Sequence, residues 1–383
     1  MRLSPRSLLL TLSMVALALI GTFAVTSAAS ARSLSIPTGG AVYTETNAAS
    51  GNAVVAFSRS SSGALAPLGT YATGGAGVGG TVDPLQSQYA VILSQDGRWL
   101  FAVNAGSNSV TAFAVHHDGT LTRTDTVASG GLRPVSLATH DDLLYVLNNG
   151  GTVDNTHGTG NITGFRLDDG RLNPIFHSTR PLGGSNVGAS TIAFSRDGRF
   201  LLVTERAANS LVRYAVDERG YASDPSVTTA AANSPFGFSF GWHDVAVISE
   251  AAAQEVSSYH VGEHSLTSIS TLATNGAAPC WATVTPSGRY AYVANAGAGA
   301  LAGYRISHDG QLTALTAGFP AATGTGSTPI DVETSHDGQF LFTLNTGTGT
   351  IGDFAVGQDG TLSALPAFSA FPAASGYQGL AAW

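Results

Sequence analysis

Two stretches of this chain place a carboxylate at the same point of the same pattern. Leu202-Val203-Thr204-Glu205 and Val247-Ile248-Ser249-Glu250 each run two apolar residues, a hydroxyl and then Glu. Two carboxylates with separated pKa values form a general acid and a general base, the pairing needed to activate water against an ester or lactone carbonyl. Each Glu has a plainer reading as an acceptor for backbone N–H groups or a partner for a neighbour such as Arg206. Other groups are candidates for holding a ligand. Arg133, just ahead of Pro134, presents a guanidinium to an anion or carbonyl. Asn148 ends an apolar run like those that lead into the two Glu. Asp154 and His157 lie in an insertion, 149–160, where comparable turns take about four residues, and its length suits a lid or binding loop. Those two groups are too few for a catalytic zinc, which takes three protein ligands. No metal and no cofactor are therefore expected. Cys280 and Trp281 follow Pro279. A nucleophilic Cys needs a basic partner, and its unit contains none. Cys280 reads as a small buried residue. Trp281 reads as core packing, with stacking on a ligand as the alternative.

These candidates recur because the chain repeats. One unit reads Ser94-Gln-Asp-Gly-Arg-Trp-Leu-Phe-Ala-Val-Asn104, then Asn108 to Phe113, then Asp118-Gly-Thr-Leu121. A second runs Thr285-Pro-Ser-Gly-Arg-Tyr-Ala-Tyr-Val-Ala-Asn295 and on to Asp309-Gly-Gln-Leu312, and a third runs from Ser335-His-Asp-Gly338 to Asp359-Gly-Thr-Leu362. The Asp-Gly and Ser-Gly steps make tight turns, since Gly accepts positive φ and Asp bonds its own backbone. The apolar run that follows reads as a strand buried on both faces, and the next segment alternates with period two. Such runs end near Asn47, Asn104, Asn148, Glu205, Glu250, Asn295 and Asn345, about 50 residues apart. That period is a four-stranded blade. Seven units predict an all-β, seven-bladed β-propeller of antiparallel blades. The chain begins with a second-type strand, Ala41–Thr46, and stops after a first-type strand, Tyr377–Trp383. The last strand is thus expected to complete the first blade and close the ring.

The units SQDGRWLFAVNAGSNSVTAF and TPSGRYAYVANAGAGALAGY resemble the YVTN-type propeller repeat. Seven such units with a DG-x-L step before the outer strand are similar to the lactonase family, which includes bacterial 6-phosphogluconolactonases and a fungal carboxymuconate-lactonising enzyme. The resemblance covers nearly all of the chain after residue 31. It implies a propeller with a central funnel and activity on a lactone or related small molecule. In the phosphogluconolactonase branch, Arg-His follows the Pro that opens an inner strand, and Asn-Glu follows the second strand. Here Pro279 is followed by Cys280-Trp281, Pro329 by Ile330 and Asn295 by Ala296, while Ala189-Ser190-Thr191 stands where a His is expected. No catalytic residue of that branch is carried over.

The remaining composition bounds the setting. Arg2 and Arg6 precede an apolar stretch, Leu8 to Val25, and Ala29-Ser30-Ala31 offers a signal-peptidase site. Residues 1–31 therefore read as a Sec-type signal peptide. The remaining 352 residues read as one propeller domain, secreted or held in the periplasm or cell envelope. No later segment is long and apolar enough to span a bilayer. Without Arg2 and Arg6 the 17 basic residues fall to 15, all Arg, against 25 acidic. No basic cluster exists to hold phosphates, which argues against nucleic acid. A single cysteine excludes an internal disulfide. Two functions follow as expectations. The first is a monomeric lactonase-like hydrolase or isomerase with Glu205 and Glu250 as acid and base, and Arg133, Asn148 and Arg206 among its ligand contacts. The second is a non-catalytic exported propeller that binds a glycan, peptide or cell-envelope partner through the funnel.

Overall fold

The protein is described from a computed structural model covering residues 39–151 and 159–383. The signal-peptide segment and the Asp154–His157 part of the insertion lie outside these residues. The described chain forms seven antiparallel sheets of four or five strands, six of them in sequence order from the inside outward and the first with the chain's last strand innermost, with a single short 3-10 turn at Trp242–Asp244. This is the expected seven-bladed propeller.

Each blade grows from the same local chemistry. In the second blade, Gly97 takes a φ of 66° at the turn from inner to second strand. Asp96 accepts hydrogen bonds there from the Ser94 hydroxyl (2.6 Å) and the Arg98 N–H (3.1 Å). Ser195 with Asp197 and Ser335 with Asp337 repeat the arrangement. The second strand that follows is buried along its length, as in Phe200–Glu205, Val245–Glu250 and Phe340–Asn345. A residue here touches a neighbouring sheet on both faces, hence the unbroken apolar runs. Tyrosine struts tie one blade to the next. Tyr43, Tyr145 and Tyr292 donate their hydroxyls to the carbonyls of Gly119, Gly220 and Gly360, each in the outer turn of the following blade.

The first blade is completed by the end of the chain. Gln378–Ala382 forms its inner strand, against Ala41–Glu45. Tyr43 faces Ala381, and Trp383 N–H donates to Ala41 at 2.9 Å. Arg59 reaches the Trp383 carbonyl (3.2 Å) and the Asp337 carboxylate (3.1 Å) of the seventh blade. One expectation needs correction. The second strand of the first blade ends at Glu45, not near Asn47. Glu45 opposes Gln378 as Asn295 opposes Pro279, so Glu45 holds the equivalent place. The turn beyond it is longer, and Asn47 lies in it with φ of 47°. Three blades, not two, therefore carry Glu at the end of the second strand.

Removing residues 377–383 is expected to lower the melting temperature by on the order of 10 °C, because the first blade loses its inner ladder and exposes the second strand on the channel side. An unchanged melting temperature in circular dichroism would reject closure as the source of stability.

Candidate functional site

The face where second strands end and inner strands begin is built from one repeated seat. Pro134 opposes Asn148, Ala189 opposes Glu205, Pro235 opposes Glu250, and Pro329 opposes Asn345, each pair beside a register shift. The residue just ahead of the inner strand adopts a left-handed backbone: φ is 55° at Arg133, 66° at Ser234, 54° at Ala278 and 47° at Thr328. Bulky residues rarely take this conformation. It is held because the carbonyls of Arg133, Ser234 and Ala278 accept N–H bonds from Asn149, Ala251 and Ala296 (2.9–3.1 Å). The strand-end side chain then turns against the incoming connection. A Cβ added to Gly131, Gly183 or Gly276 would fall 2.6–2.8 Å from Asn148, Glu205 or Asn295 respectively.

Glu205 and Glu250 occupy this seat and are fully buried. Glu205 accepts bonds from Gly183 N–H (2.7 Å) and the Ser210 hydroxyl (2.6 Å). Burial pushes its carboxyl upward, and these two bonds oppose the shift. Glu250 accepts the Tyr259 hydroxyl at 3.2 Å, while its other oxygen has no partner. Burial pushes it up to about 7, with Tyr259 and Ser257 holding it down and Glu255 adding to the rise. The groups that shift each carboxyl do not include the other. The structure encloses each in its own blade rather than bringing the two together. Glu45 has the same character: it accepts Asn52 at 2.8 Å, and burial holds its carboxyl well above the ordinary range.

The ligand candidates sort differently. Asn148 donates to Ser129 O (3.1 Å) and Asn161 Oδ1 (3.0 Å), and so braces the turn. Trp281 is 2 % exposed, packs edge-on to Phe236 and donates its indole N–H to Ser87 O at 2.9 Å, so the ligand-stacking alternative is corrected to core packing. Cys280 is a free thiol pushed up to about 12, mainly by burial and further by Asp83, which leaves it protonated and unsuited to attack. Arg133 is 4 % exposed and donates to Pro84 O at 2.7 Å. The expected anion contact is instead a brace for the segment 81–90.

That segment is the main feature the sequence reading missed. It leads into the inner strand Val91–Leu93 and crosses the channel on the way. Ser87 donates to Val135 O (2.7 Å), Gln88 to Ala282 O (2.8 Å) and Tyr89 to Phe238 O (2.9 Å), which reach the third, sixth and fifth blades. Above this crossing, Asp83, Gln86, Arg206 and Cys280 are partly exposed at the upper mouth. Asp83 accepts the Gln86 N–H at 3.0 Å, and Arg206 donates to the Gln86 side chain. Burial pushes Asp83 up to about 7, against the pull of the Gln86 bond, the Arg206 charge and Gln378. Beneath the crossing stand Asp331 and Glu333, both on the inner strand Pro329–Thr334. Asp331 is 1 % exposed and held well above the ordinary range by burial, by Glu333 and by Asp83. Burial pushes Glu333 up to about 7. The signal for these two was visible: no other inner strand of the described residues carries an acid. Below Tyr89 the channel widens into a cavity of about 390 Å³ that opens on the opposite face.

The sequence profile of the lactonase, 7-bladed beta-propeller family matches residues 22–157, 156–251 and 243–376. The chain belongs to this family. No curated protein matches the chain. Among solved structures, this lactonase-family propeller is similar to a Lactobacillus plantarum protein (18 % identity, 90 % of this chain and 99 % of that one, TM-score 0.68). It is also similar to a periplasmic gluconolactonase from Pseudomonas aeruginosa (18 %, 88 % and 98 %, TM-score 0.66). A Bacteroides fragilis protein provisionally described as a 6-phosphogluconolactonase matches at 19 %, over 90 % and 98 %, with a TM-score of 0.67. At these identities the likeness establishes the fold.

Glu250 gives the propeller a testable pH signature. In the unfolded chain it ionises near its ordinary 4.5, but in the fold only near 7. The folded state thus holds the extra proton, and the stability this contributes at low pH is lost as pH rises from 4.5 through 7. Glu250→Gln keeps an acceptor for Tyr259 without the charge. It is expected to raise the melting temperature by roughly 5 °C at pH 8 and to leave it unchanged at pH 4. Equal shifts at both pH values would show that burial of the charge is not the cause.

Proposed function

We propose that this lactonase-family propeller is an exported hydrolase that opens a lactone at the upper mouth of its channel, with Asp83 as general base and Arg206 as the oxyanion contact. The observation that carries the reading is Asp83. It combines partial exposure at the mouth with a carboxyl raised to about 7, the property of a base working near neutral pH. Glu205 and Glu250 share the raised carboxyl but are sealed from solvent. Ionised Asp83 takes a proton from water. The hydroxide adds to the lactone carbonyl, and the guanidinium of Arg206 meets the oxygen on which charge develops. Collapse of the adduct breaks the ring C–O bond, and the proton on Asp83 passes to the departing alkoxide. Hydroxy acid is released with Asp83 ionised again. Glu205 acts here through position, since its seat fixes the backbone that carries Arg206. Export rests on the Arg2/Arg6 n-region, the apolar stretch and the Ala29-Ser30-Ala31 site.

One observation favours the second reading, a non-catalytic exported propeller that holds a glycan, peptide or envelope partner at its rim. The segment 81–90 already fills the upper channel and engages three blades, and Leu132 stands 56 % exposed on the same face.

A panel of γ- and δ-lactones separates the two. Turnover is expected, with kcat/KM falling as pH drops through about 7 because protonated Asp83 cannot serve as base. Asp83→Asn is expected to lower kcat by about 10²–10⁴ and Arg206→Ala by about 10²–10³. Full activity in Asp83→Asn would overturn the assignment, and a wild-type protein inert across the panel would leave the binding reading in its place.

A further inference from the structure

The lower channel has features that the upper mouth does not use. Its volume of about 390 Å³ lies within the range of small-molecule sites, roughly 300–1,000 Å³. Its walls include Leu137, Ala138, Phe194, Phe240, Val284 and Leu380, drawn from several inner strands. Glu333 lines this apolar space. Its carboxyl accepts the Thr283 hydroxyl (3.1 Å) and the Thr334 N–H (2.9 Å), both neutral donors. Asp331 lies two residues back on the same strand, is not among the residues that line the cavity, and has one oxygen lacking any partner. Tyr89, the residue of the crossing segment that lines the cavity, already gives its hydroxyl to Phe238 O. No cation is among the groups that act on Glu333 or Asp331. Arg196 lines the mouth, but it donates to Pro286 O (3.3 Å) and lies 4.2 Å from the Trp242 ring centre. Ser94, Gln95, Thr139 and His336 also line the space, and His336 stacks on Trp383 with ring centres 4.1 Å apart. Glu333 therefore stands among aromatic and apolar walls with no cation acting on it.

We propose that this cavity is a second ligand site, opening on the face opposite the upper mouth, that takes a small hydrophobic molecule bearing a protonated amine. The ammonium would meet Glu333 at the inner end, and the hydrocarbon body would fill the space between Phe194 and Phe240. Cations are also attracted to aromatic faces, which adds to the preference. A bare metal ion fits poorly, because Ca²⁺ and Mg²⁺ need about six or more oxygen ligands and Glu333 is the one side-chain carboxylate in the lining. Among the described residues no group of three metal-ligating side chains exists.

The test is titration calorimetry of the exported full chain with 2-phenylethylamine, 2-phenylethanol and phenylacetate, three probes of matched body and different charge. The amine is expected to bind at least about tenfold more tightly than either analogue, the worth of one charge-assisted hydrogen bond. Glu333→Gln should remove that advantage while the alcohol binds as before. Ala193→Phe, which fills the cavity wall, should abolish binding of all three, with thermal melts confirming both variants folded. Arg206→Ala, which the hydrolase reading requires and which is not among the groups acting on Glu333 or Asp331, should leave the amine affinity unchanged, so that this site and the hydrolase reading stand or fall separately. Phenylacetate binding as tightly as the amine, a Glu333→Gln variant with undiminished amine affinity, saturation by Ca²⁺ in place of the amine, or no binding of any probe would each overturn the proposal.

Discussion

The pairing of Gln378–Ala382 with Ala41–Glu45 is the constraint on which the rest of the molecule depends. A blade is a half-buried sheet with no core of its own. Its two faces are covered only by its neighbours, and the outermost and innermost edges are protected only when the ring is complete. Closure also sets the seven inner strands at fixed distances around the axis. The crossing segment 81–90 can reach the third, fifth and sixth blades at once only because those blades are held in a ring. The two ends of the chain thus determine the geometry of a channel whose lining comes from its middle.

The seat at the end of each second strand shows how one local solution serves seven blades and constrains what any of them can do. A left-handed residue turns the chain into the inner strand, and the side chain that ends the second strand supports that turn from behind. Asn performs this with an amide, Glu with a carboxylate. The cost of Glu is a buried acid: Glu45, Glu205 and Glu250 are all shifted upward chiefly by burial. Departure from a repeat is therefore not by itself a sign of chemistry. At Glu205 and Glu250 it marks a different way of holding the same backbone. The group suited to proton transfer is Asp83, which lies outside the repeat pattern and between two worlds, buried enough to be raised and open enough to meet water.

The channel is divided in two by protein. Above the crossing, an Asp and an Arg face the upper mouth. Below it, Glu333 faces a largely apolar cavity and no cation acts on it. The two ends differ because the segment 81–90 turns its Asp83 end upward and its Tyr89 end downward. A ring of sevenfold regular blades would have identical surroundings at every angle. The segment 81–90 breaks that rotational symmetry and separates the two mouths, which strand direction already makes different.

Periodicity in the sequence was enough to establish the all-β class, the number of blades, the turns at Asp96-Gly97 and its repeats, and the closure by the last strand. These are local or repeated features, and a repeat of about 50 residues with complementary ends has few ways to bury its strands. The placement of single side chains was decided only by the assembled ring. Arg133, Asn148 and Trp281 look like ligand groups in the sequence, yet each is occupied by a carbonyl or an amide contributed from another part of the chain. Glu45 escaped notice because a longer turn displaced the alignment by two residues. Asp83 was hidden in an irregular connection with no period to read. Asp331 and Glu333 were legible as acids in an apolar strand, but their position on the channel axis follows from ring geometry. Which way a strand faces is written in its alternation of residues; what it faces is contributed by blades hundreds of residues away.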